Sequence, residues 1–263
     1  MGMLIGGGWS RQLVAGLVWL LGAWTGSAVA ADACRPVFSN GLQTHDAGEI
    51  IFQWGGRLQG NPSPVLESPK VQNAWGSFSC GTQNCEASGV AAASLGGLIW
   101  PSNVTQHDFK QDYLTSGEIG GSEIRHFRTV ELGSGASLEF NSRHRSYYIE
   151  RLSLAYGSRV TLAPGRYWVG QLDMATDSRI EVAGGSAQLF VGRSLALPFQ
   201  AKINGAGAPE VLQLIVSGDL IQSTSSVVNA VAYADGEYRS AFSSSLTGSL
   251  SARRADIAGG ASI

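Results

Sequence analysis

Between Val130 and Ile263 one small pattern recurs: apolar or small residues at offsets 0, 2, 6 and 8 from an anchor. The clearest copies are Val130-Leu132-Ala136-Leu138, Leu152-Leu154-Ser158-Val160, Leu172-Met174-Ser178-Ile180 and Leu195-Leu197-Ala201-Ile203. Leu220-Gln222-Ser226-Val228 and Tyr238-Ser240-Ser244-Leu246 are weaker, and Ala255-Ile257-Ala261-Ile263 is the last. Anchors step by 22, 20, 23, 25, 18 and 17 residues. A period near 20 belongs to a chain that stacks similar turns and offers a surface and a length.

The offsets carry their own geometry. Residues two apart on a strand share a face, so offsets 0 and 2 point one way, and so do 6 and 8. Turn formers separate the pairs, as in Gly133-Ser134-Gly135, Ala175-Thr176-Asp177, Ser223-Thr224-Ser225 and Ala258-Gly259-Gly260. Odd positions are polar in the better copies, for example Glu131, Ser137, Glu139, Ser153, Arg159, Thr161, Asp173, Arg179 and Glu181. Further strand-like runs follow at 167–169, 188–191, 212–216 and 231–233. Alternation with a corner in the middle, and about three short strands per turn, predicts an all-β, single-stranded parallel β-helix, right-handed by the usual preference. A helix is excluded, because these offsets do not follow a 3.6 period and β-formers and Gly dominate.

The first 30 residues read as a secretory signal. Arg11 supplies a positive charge, Leu13 to Gly26 an apolar stretch, and Ala28-Val29-Ala30 a small-x-small cleavage site. An uncleaved anchor is disfavoured, since the run is short for a bilayer and ends in a cleavage site. Removal leaves residues 31–263 with 17 basic and 20 acidic side chains, because Arg11 is the one charge lost from 18 and 20. A net charge of −3 argues against nucleic acid and anionic membrane surfaces. No later run is long and apolar enough to span a membrane, so the expected location is the periplasm, the outer surface or the medium. Cys34, Cys80 and Cys85 all lie in the exported part. Cys80 and Cys85 are the expected disulfide, with Cys34 joined to either as the alternative.

Residues 31–127 lack the repeat and are expected to form a cap and irregular coils over the N-terminal end, before solenoid repeats at 128–263. Within them Asp108 to Leu114 reads as short helical or irregular chain. At the other end the sequence stops inside a repeat, so Ala255, Ile257, Ala261 and Ile263 are expected to be uncovered. An open end marks the front part of a longer protein, the favoured reading, or invites end-to-end self-association, or leaves the last coil frayed.

Catalytic signals are sparse. His45, His107, His126 and His144 read as ordinary surface histidines, and no paired His-x3-His or C-x-x-C pattern supports a metal. No nucleophile-elbow, zincin or phosphate-loop motif occurs, and no cofactor is expected. Stacking predicts Arg159 beside Arg179, with Glu139 and Glu181 straddling Thr161, and places Glu131 and Asp173 outward. That is a mixed-charge face, thin for a paired acid and base. Tyr147, Tyr148, Tyr167 and Trp168 cluster on one coil and suit either internal packing or contact with sugars.

The run from Tyr148 to Val169, with its Leu162-Ala163-Pro164-Gly165-Arg166-Tyr167-Trp168 segment, resembles the repeat region of the MshQ-like family. That family belongs to the mannose-sensitive haemagglutinin (MSHA) type IV pilus biogenesis system. Cys34 with Phe38 and Gly41-Leu42-Gln43, and Cys80 to Cys85 with Ala87-Ser88-Gly89, are also similar to it. The resemblance implies a large exported, pilus-associated surface protein, with pilus or cell-envelope proteins and surface glycans as partners, and supplies no catalytic residues. The expected function is a non-catalytic exported β-solenoid, an accessory or adhesin-like pilus component. The alternatives are a polysaccharide-active lyase or hydrolase and a self-polymerising solenoid scaffold.

Overall fold

The structure is a computed structural model, and it describes residues 41–59, 66–74, 91, 95, 106–120 and 125–263. The signal-like segment, Cys34, and the expected Cys80–Cys85 bridge lie outside these residues. In chain order the strands begin with β1 (Leu42–Thr44), β2 (Glu49–Phe52), β3 (Leu66–Glu67), β4 (Lys70–Asn73), β5 (His107–Gln111) and β6 (Ser116–Ile119). Next come β7 (His126–Leu132), β8 (Ser137–Phe140), β9 (Ser146–Leu154), β10 (Arg159–Leu162), β11 (Gly165–Met174) and β12 (Arg179–Val182). Then follow β13 (Ala187–Val191), β14 (Leu195–Leu197), β15 (Lys202–Ile203), β16 (Leu212–Val216), β17 (Leu220–Gln222), β18 (Val227–Ser240) and β19 (Ser245–Ile257). Every pairing between them is parallel, and they join in one 19-stranded stack, a β-solenoid.

The repeat offsets describe one corner. The offset-6 N–H donates to the offset-3 carbonyl, as in Ala136 to Gly133 (3.1 Å), Ser158 to Ala155 (3.2 Å) and Ser226 to Ser223 (3.2 Å). Where offset 6 is serine, its hydroxyl donates to the same carbonyl: Ser158 to Ala155 at 2.8 Å, Ser178 to Ala175 at 2.6 Å, Ser244 to Ala241 at 2.7 Å. This satisfies the hydroxyl inside the core and explains why only Ser, Ala, Thr or Gly stands there. Offset 5 has positive φ in every copy, whether Gly135 (66°), Gly157 (65°), Asp177 (57°) or Gln200 (59°). The corner therefore turns the chain sharply while offsets 0, 2, 6 and 8 all face inward.

Inward residues form ladders. At offset 8, Leu138, Val160, Ile180, Ile203, Val228 and Leu246 stand in register and are buried. At offset 0, Val130 pairs with Leu152 and Leu152 with Leu172, while Leu195 pairs with Leu220 and Leu220 with Tyr238. Like thus packs on like, and each side chain leaves water against the coils above and below, worth about 1.5–3 kcal/mol per large apolar group. Tyr238 replaces an aliphatic in its ladder and is fully buried, its hydroxyl donating to Gln222 Oε1 at 2.6 Å. Burial raises its pKa, so the phenol stays protonated.

Coils begin earlier than expected. The stretch read as helical or irregular is strand β5, with Phe109 in register with Val130 and Gln111 with Leu132. A larger correction concerns the ends. Residues 42–59 and 66–73 stack on the C-terminal coil rather than on the N-terminal one. β1 pairs with β19 through Leu42↔Leu250, and β2 pairs with β19 through Ala255↔Ile50 and Ile257↔Phe52. Arg57 N–H donates to Ala261 O at 2.9 Å and Gln59 N–H to Ile263 O at 2.6 Å. β3 and β4 add another layer on β1 and β2. Ala255, Ile257 and Ala261 are consequently fully buried and Ile263 nearly so, so the end expected to be open is closed by the chain's own N-terminal part. Close approach enforces Gly48, where a Cβ would run into the Arg253 carbonyl of the coil beneath.

Candidate functional site

The inward ladders are buried and mostly apolar, so the outward ladders are where polar chemistry meets solvent. The first runs along one face: His126, Tyr148, Trp168, Phe190, Ile215 and Tyr233, each in register with the next. His126 stacks on Tyr148 at 4.5 Å between ring centroids, and Trp168 on Phe190 at 4.1 Å. Toward the far end this ladder is covered. Phe190, Ile215 and Tyr233 are buried although they point outward, Leu95 packs on them, and its N–H donates to the Tyr233 hydroxyl at 3.2 Å. Burial pushes the Tyr233 phenol up to about 12. His45 stacks on Tyr233 at 5.0 Å and is itself buried, contrary to its reading as a surface histidine; loss of water lowers its pKa.

The four aromatics singled out in the sequence separate by direction. Tyr147 and Tyr167 point inward, stack at 5.4 Å and meet Phe140 edge-on. Their hydroxyls donate to the carbonyls of Asn141 (2.9 Å) and Ala163 (2.8 Å), and burial raises both pKa values. Tyr148 and Trp168 point outward and belong to the surface ladder.

Charged residues stand in the expected register. Arg159 neighbours Arg179, and Thr161 lies between Glu139 and Glu181. Glu131, Ser153 and Asp173 form an adjacent ladder beside a shallow groove of about 420 Å³. Asp173 is not free to act alone: Arg151 Nε donates to it at 2.8 Å and Gln171 Nε2 at 3.0 Å. Arg179 is drawn to Asp177 at 3.0 Å, Arg239 to Glu237 at 2.6 Å, and Arg128 to Asp108, whose carboxyl it holds below its usual range. A second groove of about 400 Å³ lies between Arg128, Glu150, Arg151 and Arg193. Among the described residues no group of three or more His, Cys, Asp and Glu is placed to hold a metal ion. No helix among them is long and apolar enough to cross a membrane.

The chain matches no protein-family model, no curated protein and no solved structure. The surface therefore has to be interpreted from its own geometry. One part of it went unnoticed in the sequence: Trp54, Tyr113, Tyr156, Phe199 and Phe242, the large exposed aromatics among the described residues. Their shared position at offset 4, in the corner, was the signal that could have found them.

Proposed function

We propose that the protein is a non-catalytic, exported β-solenoid that presents a rigid surface, as an accessory or adhesin-like component of an MSHA-like type IV pilus system. The observation that carries the presenting role is the parallel stack, whose outward side chains stand in long registered ladders. Such a rod displays an extended face rather than a pocket. Export is supported by Arg11, the apolar run and the Ala28-Val29-Ala30 site, and the pilus association by the similarity of residues 148–169 to the MshQ-like repeat. Cell fractionation with mass spectrometry of the N-terminus tests export: the expected result is a chain beginning at Ala31 in the envelope or medium. A cytoplasmic protein retaining Met1 overturns it. Co-purification with sheared pili tests the association.

One observation favours a second reading, an enzyme acting on polysaccharide: the groove that holds Glu131 and Asp173 two coils apart. Release of reducing or unsaturated ends from acidic or neutral glycans, abolished by Glu131→Gln, would establish it. Since β1 and β2 cover the C-terminal coil, self-association under the scaffold reading would run through the layer formed by β3 and β4.

A further inference from the structure

Offset 4 forms the tip of each coil's corner, and these tips stack along a single edge. Hydrogen bonds link them in order: Leu114 N–H to Ser134 O, Gly135 to Tyr156, Gly157 to Thr176, Asp177 to Phe199, Gln200 to Thr224 and Ser225 to Phe242. The last two coils continue the edge, with Gly260 N–H donating to Gly55 O at 3.0 Å. Along this edge the aromatic tips are Tyr113, Tyr156, Phe199, Phe242 and Trp54. The tips between them are Ser134, Thr176, Thr224 and Gly259. Aromatic and small residues alternate without a break, and the final aromatic comes from the N-terminal segment, which joins the edge only because it stacks on the C-terminal coil.

Aromatics make up 9% of the chain, so these tips would hold about one by composition alone. Core packing does not account for the excess, since Tyr113 is 68% exposed, Tyr156 61%, Phe242 63% and Trp54 68%. Phe199, at 46%, is the least exposed of the five. The small tips leave the rings apart: a side chain on Gly260, beside the Gly259 tip, would press on the Phe242 ring. Successive rings therefore recur every second coil, about 9.6 Å apart at twice the strand spacing.

We infer that this edge is a docking strip for an extended, uncharged β-1,4-linked glycan. In the two-fold conformation of such a chain the same sugar face returns every second ring. Its repeat closely matches two coils, so each aromatic meets the apolar face of an alternate pyranose. Stacking of a flat ring on the axial C–H face of a sugar buries apolar area without desolvating the equatorial hydroxyls. Ser134, Thr176 and Thr224 hold the corners between those that carry rings, where the intervening sugars need hydrogen-bond partners. The corner tips themselves carry little charge, which suits a neutral ligand. From offset 3 to offset 5 of these corners the charged residues are Asp112 and Asp177, and Asp177 is held by Arg179. No Lys or Arg occupies offsets 3 to 5; Arg159, Arg179 and Lys202 stand in register at offset 7, where Arg179 is bound to Asp177.

This inference deepens the presenting role by naming its ligand, and rests on that reading for access to the glycan. Binding is measured with purified protein and two insoluble probes, microcrystalline cellulose and chitin, with granular starch as an α-linked control. Depletion by cellulose, chitin or both, and not by starch, is expected, and preference between them tells whether the N-acetyl group is read. The double variant Tyr156→Ala/Phe199→Ala should bind about tenfold more weakly. The decisive variant is Tyr156→Thr/Thr176→Tyr, which keeps composition and exposed ring count but breaks the two-coil spacing. It should melt like the parent and lose binding to a similar degree. Retained binding by this phase-shifted variant, equal depletion by starch, or no depletion by either β-linked probe overturns the proposal. Such a failure in a protein still found outside the cell leaves the presenting role standing, whereas binding by a protein confined to the cytoplasm overturns the exported role alone.

Discussion

The coil formed by β1, β2 and Arg57 has the same geometry as the coils in the middle of the stack, but a different connection. Arg151 reaches Asp173 across 22 residues of sequence, whereas Gln53 reaches Asp256 across 203 at 2.7 Å. Both contacts join adjacent coils in parallel register. Loop-closure entropy grows only with the logarithm of length, so the tenfold longer connection costs about 2 kcal/mol more. Burial of Ile50, Phe52 and Leu58 exceeds that cost, and all three are essentially inaccessible to water. A coil edge thus accepts any strand with the right inward pattern, however far away in sequence. The difference lies in kinetics and local stability: a coil closed by distant chain forms late and opens first.

The largest break in this comparison is Ile180→Asp in the middle of the stack. It places an unpaired charge between Val160 and Ile203, and a loss of more than about 4 kcal/mol is expected. Denaturant unfolding should show the whole solenoid destabilised. Ile50→Asp makes the same chemical change at the terminal coil. Its expected cost is about 2–4 kcal/mol, limited by detachment of that coil. Hydrogen exchange should then rise at Ala255 and Ile257 while Ile180 stays protected, and sedimentation should show concentration-dependent association through the uncovered edge. Equal deprotection at Ile180 would show that the terminal coil is not separable.

Acid sharpens the comparison further. His45 belongs to the terminal coil, is buried against Tyr233 and has a lowered pKa, because desolvation outweighs the carboxylates of Asp46 and Asp235 while Arg253 opposes them. Above its ordinary value of 6.5 the residue is neutral in both states and changes nothing. Below 6.5 the unfolded chain takes up the proton first, so stability falls until the pH passes the lowered folded value. Protection factors at β1, corrected for the intrinsic exchange rate, should therefore fall between neutral and mildly acidic pH, and His45→Phe should flatten that dependence. His126, at the opposite end of the outward ladder, is also lowered by desolvation and adds a term of the same sign, which the double variant His45→Phe/His126→Phe removes.

The smallest effect separates the corners. Gln200 adopts φ 59° and Gly55 φ 75° at the same offset. Gln200→Gly should stabilise the middle coil by about 1 kcal/mol, and Gly55→Ala should destabilise the terminal coil by a similar amount. Thermal melts resolve both signs.

Much of the fold was legible because the code is local. Inward offsets, the corner between them and the small residue at offset 6 follow from strand alternation and one hydrogen-bonded turn, and Ser158 or Ala201 declares them without reference to the rest of the chain. Ile50-Phe52-Gly56-Leu58 carries the same offsets and was legible in principle, but it stands alone, flanked by chain that lacks the repeat. Phe109-Gln111-Thr115-Gly117 was obscured by polar and flexible residues in inward places. The outward charge register of Arg159 with Arg179, and of Glu139 with Glu181 across Thr161, followed from equal offsets alone.

By itself, then, the sequence determined the cross-section of the rod, since each coil's inward pattern and corner depend on neighbours within about twenty residues. Only the tertiary structure decided the order of stacking. The two edges of a parallel coil present equivalent rows of N–H and C=O groups, so nothing local says which distant strand completes which end. Burial decided it, by placing β1 and β2 over Ala255, Ile257 and Ala261 and bringing Trp54 into line with Phe242 along the corner edge.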